Sequence, residues 1–142
     1  MKRNSQAVEL SGVTGEPLIW LRLEGVVVLI LSILLYAQAG ASWWRFGALL
    51  LAPDLVMAGY WLGARWGARI YNLGHTYAGP LTLAVVGLIG GYHWLVPYQL
   101  IWTAHIGMDR ALGYGLKYAS GFKNTHLGTF GKRAAMAYER TS

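Results

Sequence analysis

The stretch LIWLRLEGVVVLILSILLYAQ, residues 18–38, reads as a membrane-spanning helix. A run of about 20 mostly apolar residues, rising ~1.5 Å each, matches a hydrocarbon layer of ~30 Å. Three further apolar runs follow, approximately 44–66, 77–96 and 98–118, joined by short connections. Continuous apolar runs favour helices over strands, because an open sheet edge cannot satisfy its backbone groups in lipid. The expected fold is therefore all-α, a polytopic membrane protein built as a compact bundle of four transmembrane helices. Residues 1–118 would form this domain with a short N-terminal tail, and residues 119–142 a basic cytoplasmic C-terminal tail. Val96, Pro97 and Tyr98 are expected to turn the chain between the last two spans.

Composition supports this class. Hydrophobic residues make up 55% of the 142 and charged residues only 13%, too little polar cover for a soluble domain of this length. There is no cysteine, which excludes disulfides, thiolate metal sites and a cysteine nucleophile. A net charge of +6 does not point to nucleic acid, since the basic residues lie in tails and connections. Lys2, Arg3 and the run ending at Ala37-Gln38-Ala39 resemble a signal peptide. A long polar leader and Glu24 within the run argue that the segment stays as a span.

Lysine and arginine set the orientation. Lys2, Arg3, Arg22, Arg65, Arg69, Lys117, Lys123, Lys132, Arg133 and Arg140 fall on one face of the four-span arrangement, and Arg45 on the other. Both termini are thus expected in the cytoplasm. Trp20, Trp43, Trp44, Trp66, Trp94 and Trp102 lie near span ends, as interfacial belts do. Gly59, Gly63 and Gly67 on the second span, Gly87 and Gly91 on the third, and Gly107, Ala111 and Gly115 on the fourth have the small-xxx-small spacing of close helix packing.

Against this background HIGMDRALGYGLKY, residues 105–118, places ionisable groups inside the fourth span. A charge at the bilayer centre costs roughly 2.5–3.5 kcal/mol, so such groups face a partner, a metal or water. His105 and Asp109 are one turn apart on one helix face. Arg110 points elsewhere, with Asp54, which follows Pro53, as its expected partner. Counted inward from the cytoplasmic ends at ~1.5 Å per residue, Glu24 is about 9 Å deep, Asp109 about 14 Å, Asp54 about 18 Å and His105 about 20 Å. His75 stands at the mouth of the third span. These depths overlap, and they describe a cytoplasm-facing cavity lined by Glu24, Asp54, His75, His105 and Asp109.

Imidazole with carboxylate suits zinc, iron or manganese, and open coordination positions activate water. Asp54, His75, His105 and Asp109 are the candidate metal ligands, Glu24 a general base and Arg110 a holder of an anionic group. Equally, Asp54–Arg110 and Asp109–His105 pairs would fix bundle register without chemistry. His93, beside Tyr92 and Trp94, reads as interfacial, while a haem reading would pair it with His105. The tail segment GFKNTHLGTFGKR, bounded by Gly121 and Gly131, is either a basic lipid anchor or a lid carrying Lys123 and His126 to a substrate headgroup.

HIGMDRALGYGLKY, followed by GF and THLG, and preceded by LEG at Glu24, APD at Asp54 and LGH at His75, resembles a family of small bacterial integral-membrane proteins known only as a domain of unknown function. The resemblance implies a four-helix protein of the bacterial inner membrane, and it carries no activity. Three functions stay open on the residues. The first is a metal-dependent hydrolase acting on a lipid-like or lipid-linked substrate. The second is a proton, cation or small-solute translocator, for which a homo-oligomer is expected. The third is an accessory subunit of a larger membrane complex.

Overall fold

The computed structural model describes residues 12–129. These residues are mostly helical: α1 (Glu16–Gln38), α2 (Trp43–Leu49), a 3-10 helix (Ala52–Leu62), α3 (Ala64–Gly74), α4 (Ala78–Gly90), a 3-10 turn (His93–Leu95) and α5 (Val96–Leu112). A hairpin of two-residue strands, β1 (Asn124–Thr125) and β2 (Gly128–Thr129), closes the described chain. Lys2, Arg3, Gly131, Lys132, Arg133 and Arg140 lie outside the described residues.

Two helical stretches are long and apolar enough to cross a membrane, Glu16–Gln38 and Ala64–Gly90. Only 11% and 22% of their most apolar windows are buried inside the protein, whereas the core helix of a soluble fold is mostly buried. Trp20, Ile30, Leu34, Leu81, Leu88 and Ile89 are among many large apolar side chains left facing outward. That pattern suits lipid contact.

The expected spans 44–66, 77–96 and 98–118 differ from the observed elements. The second is not one α-helix: it breaks after α2 and continues as a 3-10 helix through Pro53 to Gly63, whose φ is +100°. Proline at the first turn supplies no amide donor, and Asp54 N–H bonds back to Leu51 in the tight i→i−3 pattern. Helical structure on the far side of Gly63 begins at Ala64, well before Tyr77. Pro97 lies in the first turn of α5, where a missing N–H costs nothing, and the chain reverses earlier, at Gly91–Leu95. At its other end α5 stops at Leu112 rather than Tyr118. Gly113 takes φ +88° and Tyr114 N–H returns to the Asp109 carbonyl, a glycine-based helix stop that leaves Gly115 outside the helix.

The 3-10 helix and α3 form a hairpin about Gly63. Nine residues back to Asp54 at roughly 2.0 Å per residue is roughly 18 Å. Twelve residues on to His75 at about 1.5 Å is again about 18 Å. The two arms therefore bring Asp54 and His75 level. Along the hairpin a Cβ at Gly67 would overlap the Tyr60 ring, and one at Gly74 would touch Val56 at 3.0 Å, so small residues let the arms close.

α5 packs on α1 through the opposite face from His105. A Cβ on Gly107 would lie 2.8 Å from the Leu29 nitrogen, and one on Gly25 would lie 2.6 Å from the Ala111 nitrogen. Gly25 is thus the unrecognised partner of the Gly107–Ala111 pair. Beyond this crossing Tyr36, Leu100 and Ile101 form a small core covered by Phe46 and Leu49. The Tyr36 hydroxyl donates to the Ser42 carbonyl at 2.7 Å, tying α1 to α2.

Gly25→Ala presses a methyl into backbone atoms that cannot rotate away, at a cost of roughly 1–3 kcal/mol. Thermal unfolding in mild detergent is expected at a lower midpoint. Gly47→Ala, where nothing lies within 4 Å, leaves the midpoint unchanged or raises it.

Candidate metal centre

Four side chains from three elements meet beside the α3–α4 junction. Asp54 comes from the 3-10 helix, His75 from the residue after α3, and His105 and Asp109 from one face of α5. One ligand atom from each lies within 4.8 Å of the other three. His75 Nε2 is 3.1 Å from His105 Nε2, 3.2 Å from Asp54 Oδ1 and 3.5 Å from Asp109 Oδ2. His105 Nε2 is 3.6 Å from Asp54 Oδ1 and 3.7 Å from Asp109 Oδ2. A tetrahedral ion with bonds of roughly 2.0–2.1 Å has ligands about 3.3 Å apart, so these five separations, 3.1 to 3.7 Å, are compatible with four ligands around one ion. The four residues form a group that can hold a metal ion.

Neighbours fix the cage. Nδ1 of His75 is 2.9 Å from the Tyr71 carbonyl, which can only accept, so Nδ1 carries the proton and Nε2 is left to face the other three ligands. The His75 ring stacks on Tyr71 at 3.7 Å, and the Tyr71 hydroxyl donates to Asp109 Oδ2 at 3.3 Å. Nδ1 of His105 is buried and has no hydrogen-bond partner among the described residues. Exposure is one-sided: the imidazoles are 2% and 0% exposed, Asp109 12% and Asp54 39%, so the group opens past Asp54.

Ending α3 at Gly74 frees carbonyls that have no intrahelical partner. α5 supplies donors for two of them. Trp102 Nε1 donates to the Gly74 carbonyl at 2.7 Å, and Arg110 Nη2 to the His75 carbonyl at 3.1 Å. Arg110 Nη1 also reaches the Tyr114 carbonyl at 3.4 Å. Arg110 therefore braces the backbone of a ligand and is not the ion-pair partner of Asp54. Trp102 is likewise a half-buried brace and not a belt residue; Trp44 and Trp61 are the most exposed of the tryptophans, at 85% and 91%.

Other expected site residues lie elsewhere. Glu24 is exposed on α1 and is not among the groups that converge. His93 is exposed at the start of the 3-10 turn, whereas His105 meets His75, so the two do not form an axial pair. Lys123 is exposed. His126 is held in the hairpin, where its Nδ1 accepts the Leu116 N–H at 2.8 Å and its carbonyl accepts the Val13 N–H.

Tyr71, Asn72 and Lys117 surround the centre and were not singled out from sequence. Asn72 pairs with the Lys117 backbone in both directions, at 2.7 and 2.9 Å. Lys117 is buried, its ammonium 3.3 Å from the Phe122 ring centre and 4.6 Å from that of Tyr71, donating to the Phe122 carbonyl. Burial pushes its pKa below the ordinary lysine range, against the pull of Asp109 and Asp54. The signal for Tyr71 was its i, i+4 spacing to His75, visible only once a helix is started at Ala64.

A family model described as a domain of unknown function (DUF4260) matches residues 18–130, and the chain belongs to that family. No curated protein and no solved structure matches it.

Tyr71→Phe keeps the ring under His75 and the carbonyl that orients it, and removes only the hydroxyl on Asp109. Loss of such a supporting bond lowers metal affinity by about 10–100-fold, measurable by competition with a chelating dye. Burial, and then the Arg110 charge, push the His126 pKa down. Its neutral form is the one that accepts from Leu116. A histidine lowered on folding contributes stability above its unfolded pKa of about 6.5, and this stability is lost as pH falls toward the lower folded value. Trypsin cleavage after Lys123, normalised to a reference peptide at each pH, is therefore expected to accelerate as pH falls from about 8 to about 5.5. In His126→Asn cleavage is fast throughout.

Proposed function

We propose that this DUF4260 protein is a metal-dependent hydrolase of the bacterial inner membrane, acting on a lipid-like or lipid-linked substrate. Asp54, His75, His105 and Asp109 would hold one divalent ion, zinc, iron or manganese. The observation that carries this reading is the convergence of two imidazole nitrogens and two carboxylate oxygens within 4.8 Å. Two carboxylates at that separation repel by roughly 3–4 kcal/mol at an effective dielectric constant near 20, and a cation between them reverses the sign. A divalent ion here would lower the pKa of a bound water toward neutrality. The half-exposed Asp54 marks the side from which water and substrate enter.

The same reading takes the chain across the membrane four times, through α1, through α2 with the 3-10 helix, through α3 with α4, and through α5. Arg22 donates to the Ala111 carbonyl at the end of α5, while Arg45 lies over Tyr98 near its start. Arg22 thus lies at the end of α5 that Lys117 and Lys123 follow, opposite Arg45, and the basic excess at that end supports termini in the cytoplasm. Convergence on one point, and not a string of groups along the membrane normal, favours a ligand cage over a proton relay. No role is given to Glu24, which is exposed and outside the group, since a bound divalent ion would itself lower the pKa of a water.

The test is metal analysis of the purified full chain, reconstituted in turn with zinc, iron and manganese. One ion per chain is expected, falling below a tenth in Asp109→Asn and His105→Gln. Metal-dependent, chelator-inhibited loss of a lipid species from membrane extracts, with its water-addition products appearing, would then establish hydrolysis. Failure of all three ions to bind stoichiometrically overturns the reading.

A further inference from the structure

A cleft of about 360 Å³ lies next to the metal centre, lined by Arg65, Arg69, Asn72, Lys117 and Tyr118 among others. Arg65 and Arg69 are one turn apart on α3, so both side chains project from the same face. Both are exposed, and neither makes an ion pair or hydrogen bond among the described residues. Among the described residues, no acidic side chain lines the cleft. Two guanidinium groups on one concave face, unpaired among the described residues, suit an anion, and their planar forks suit phosphate oxygens.

The surroundings are built rather than loose. The Arg69 guanidinium lies over the Trp66 ring at 5.3 Å, which restrains it. Asn72 uses both ends of its amide on the Lys117 backbone, so the cleft wall joining α3 to the segment after α5 is fixed. Trp66 is itself exposed, as an aromatic side chain is at headgroup depth. Tyr71, the neighbour of Asn72 on α3, bonds Asp109 of the metal group and lies under the Lys117 ammonium. Cleft and centre therefore share a wall.

We infer that this cleft binds a phosphate group, held by Arg65 and Arg69, on the molecule presented to the metal centre. The inference deepens the hydrolase reading by naming the substrate class, a phosphate-bearing lipid or free phosphate compound. A phosphate anchored at Arg65 and Arg69 leaves the rest of the molecule to extend along α3 toward Asp54.

Isothermal titration of the detergent-solubilised full chain with short-chain phosphatidic acid, and separately with inorganic phosphate, tests it. Saturable binding is expected, weakened at least tenfold in the double variant Arg65→Gln/Arg69→Gln and partly restored in Arg65→Lys/Arg69→Lys. Tighter binding of phosphatidic acid identifies a lipid headgroup. Equal binding of inorganic phosphate identifies a soluble phosphate compound. Absence of binding by both, or unchanged binding in the glutamine variant, overturns the inference. Metal content measured on the same samples separates the two readings. The glutamine variant retains its metal if only the phosphate site is lost, and phosphate binding without any metal leaves this inference standing while the metal centre falls.

Discussion

The hydrogen bond between His75 Nδ1 and the Tyr71 carbonyl is the constraint on which the centre depends. It joins residues four apart at the end of α3, so the helix that carries the ligand also chooses its tautomer. Once that proton is committed, Nε2 must face Asp54, His105 and Asp109. A rotated ring would lose the Tyr71 stack, the backbone bond and the cage together. Arg110 and Trp102 reinforce this from α5 by taking the His75 and Gly74 carbonyls, which holds the helix end open at the ligand.

α5 tolerates its polar residues because they are divided by face. His105 and Asp109 fall within about 40° of each other, while Gly107 and Ala111 lie roughly 200–240° from His105. One face can therefore be polar and the other nearly smooth. The smooth face lets α1 approach until Gly25 meets Ala111 at backbone distance, and Arg22 then caps the Ala111 carbonyl. The same close approach seals the back of the site, which leaves His105 wholly buried.

What the sequence showed and what it hid follow from periodicity. His105 and Asp109 were legible because i, i+4 spacing survives in any regular helix, and α1 because its apolar run is uninterrupted. Asp54 was legible as a costly residue within an apolar span and His75 as an imidazole at the mouth of the next, and they do converge with the other two. Their route was not. A count at a single rise per residue cannot register a change from 3-10 to α pitch at Gly63, and it placed the third helix too late. That error hid Tyr71 and Asn72, whose places depend on α3. Arg110 was paired with Asp54 because charge suggested it, whereas the freed carbonyl of His75 exists only where α3 ends. Lys117 was counted as a tail charge, although the stop at Gly113 folds it back beneath two aromatic rings.

The composition of the cage bears on what the cage is for. A register-fixing pair in a membrane protein needs one donor and one acceptor, and pairs of that kind satisfy themselves two by two. Here the grouping is two acids with two imidazoles, and Arg110, the nearest full positive charge on α5, is spent on carbonyls. Lys117 bonds to the Phe122 carbonyl instead of entering the group. The local cations thus brace the surroundings while the centre keeps an excess of lone pairs directed inward. With both imidazoles neutral this arrangement is unfavourable by itself and favourable around a cation, whereas protonation of both would turn it into two ion pairs, and its opening past Asp54 leaves room for a further ligand.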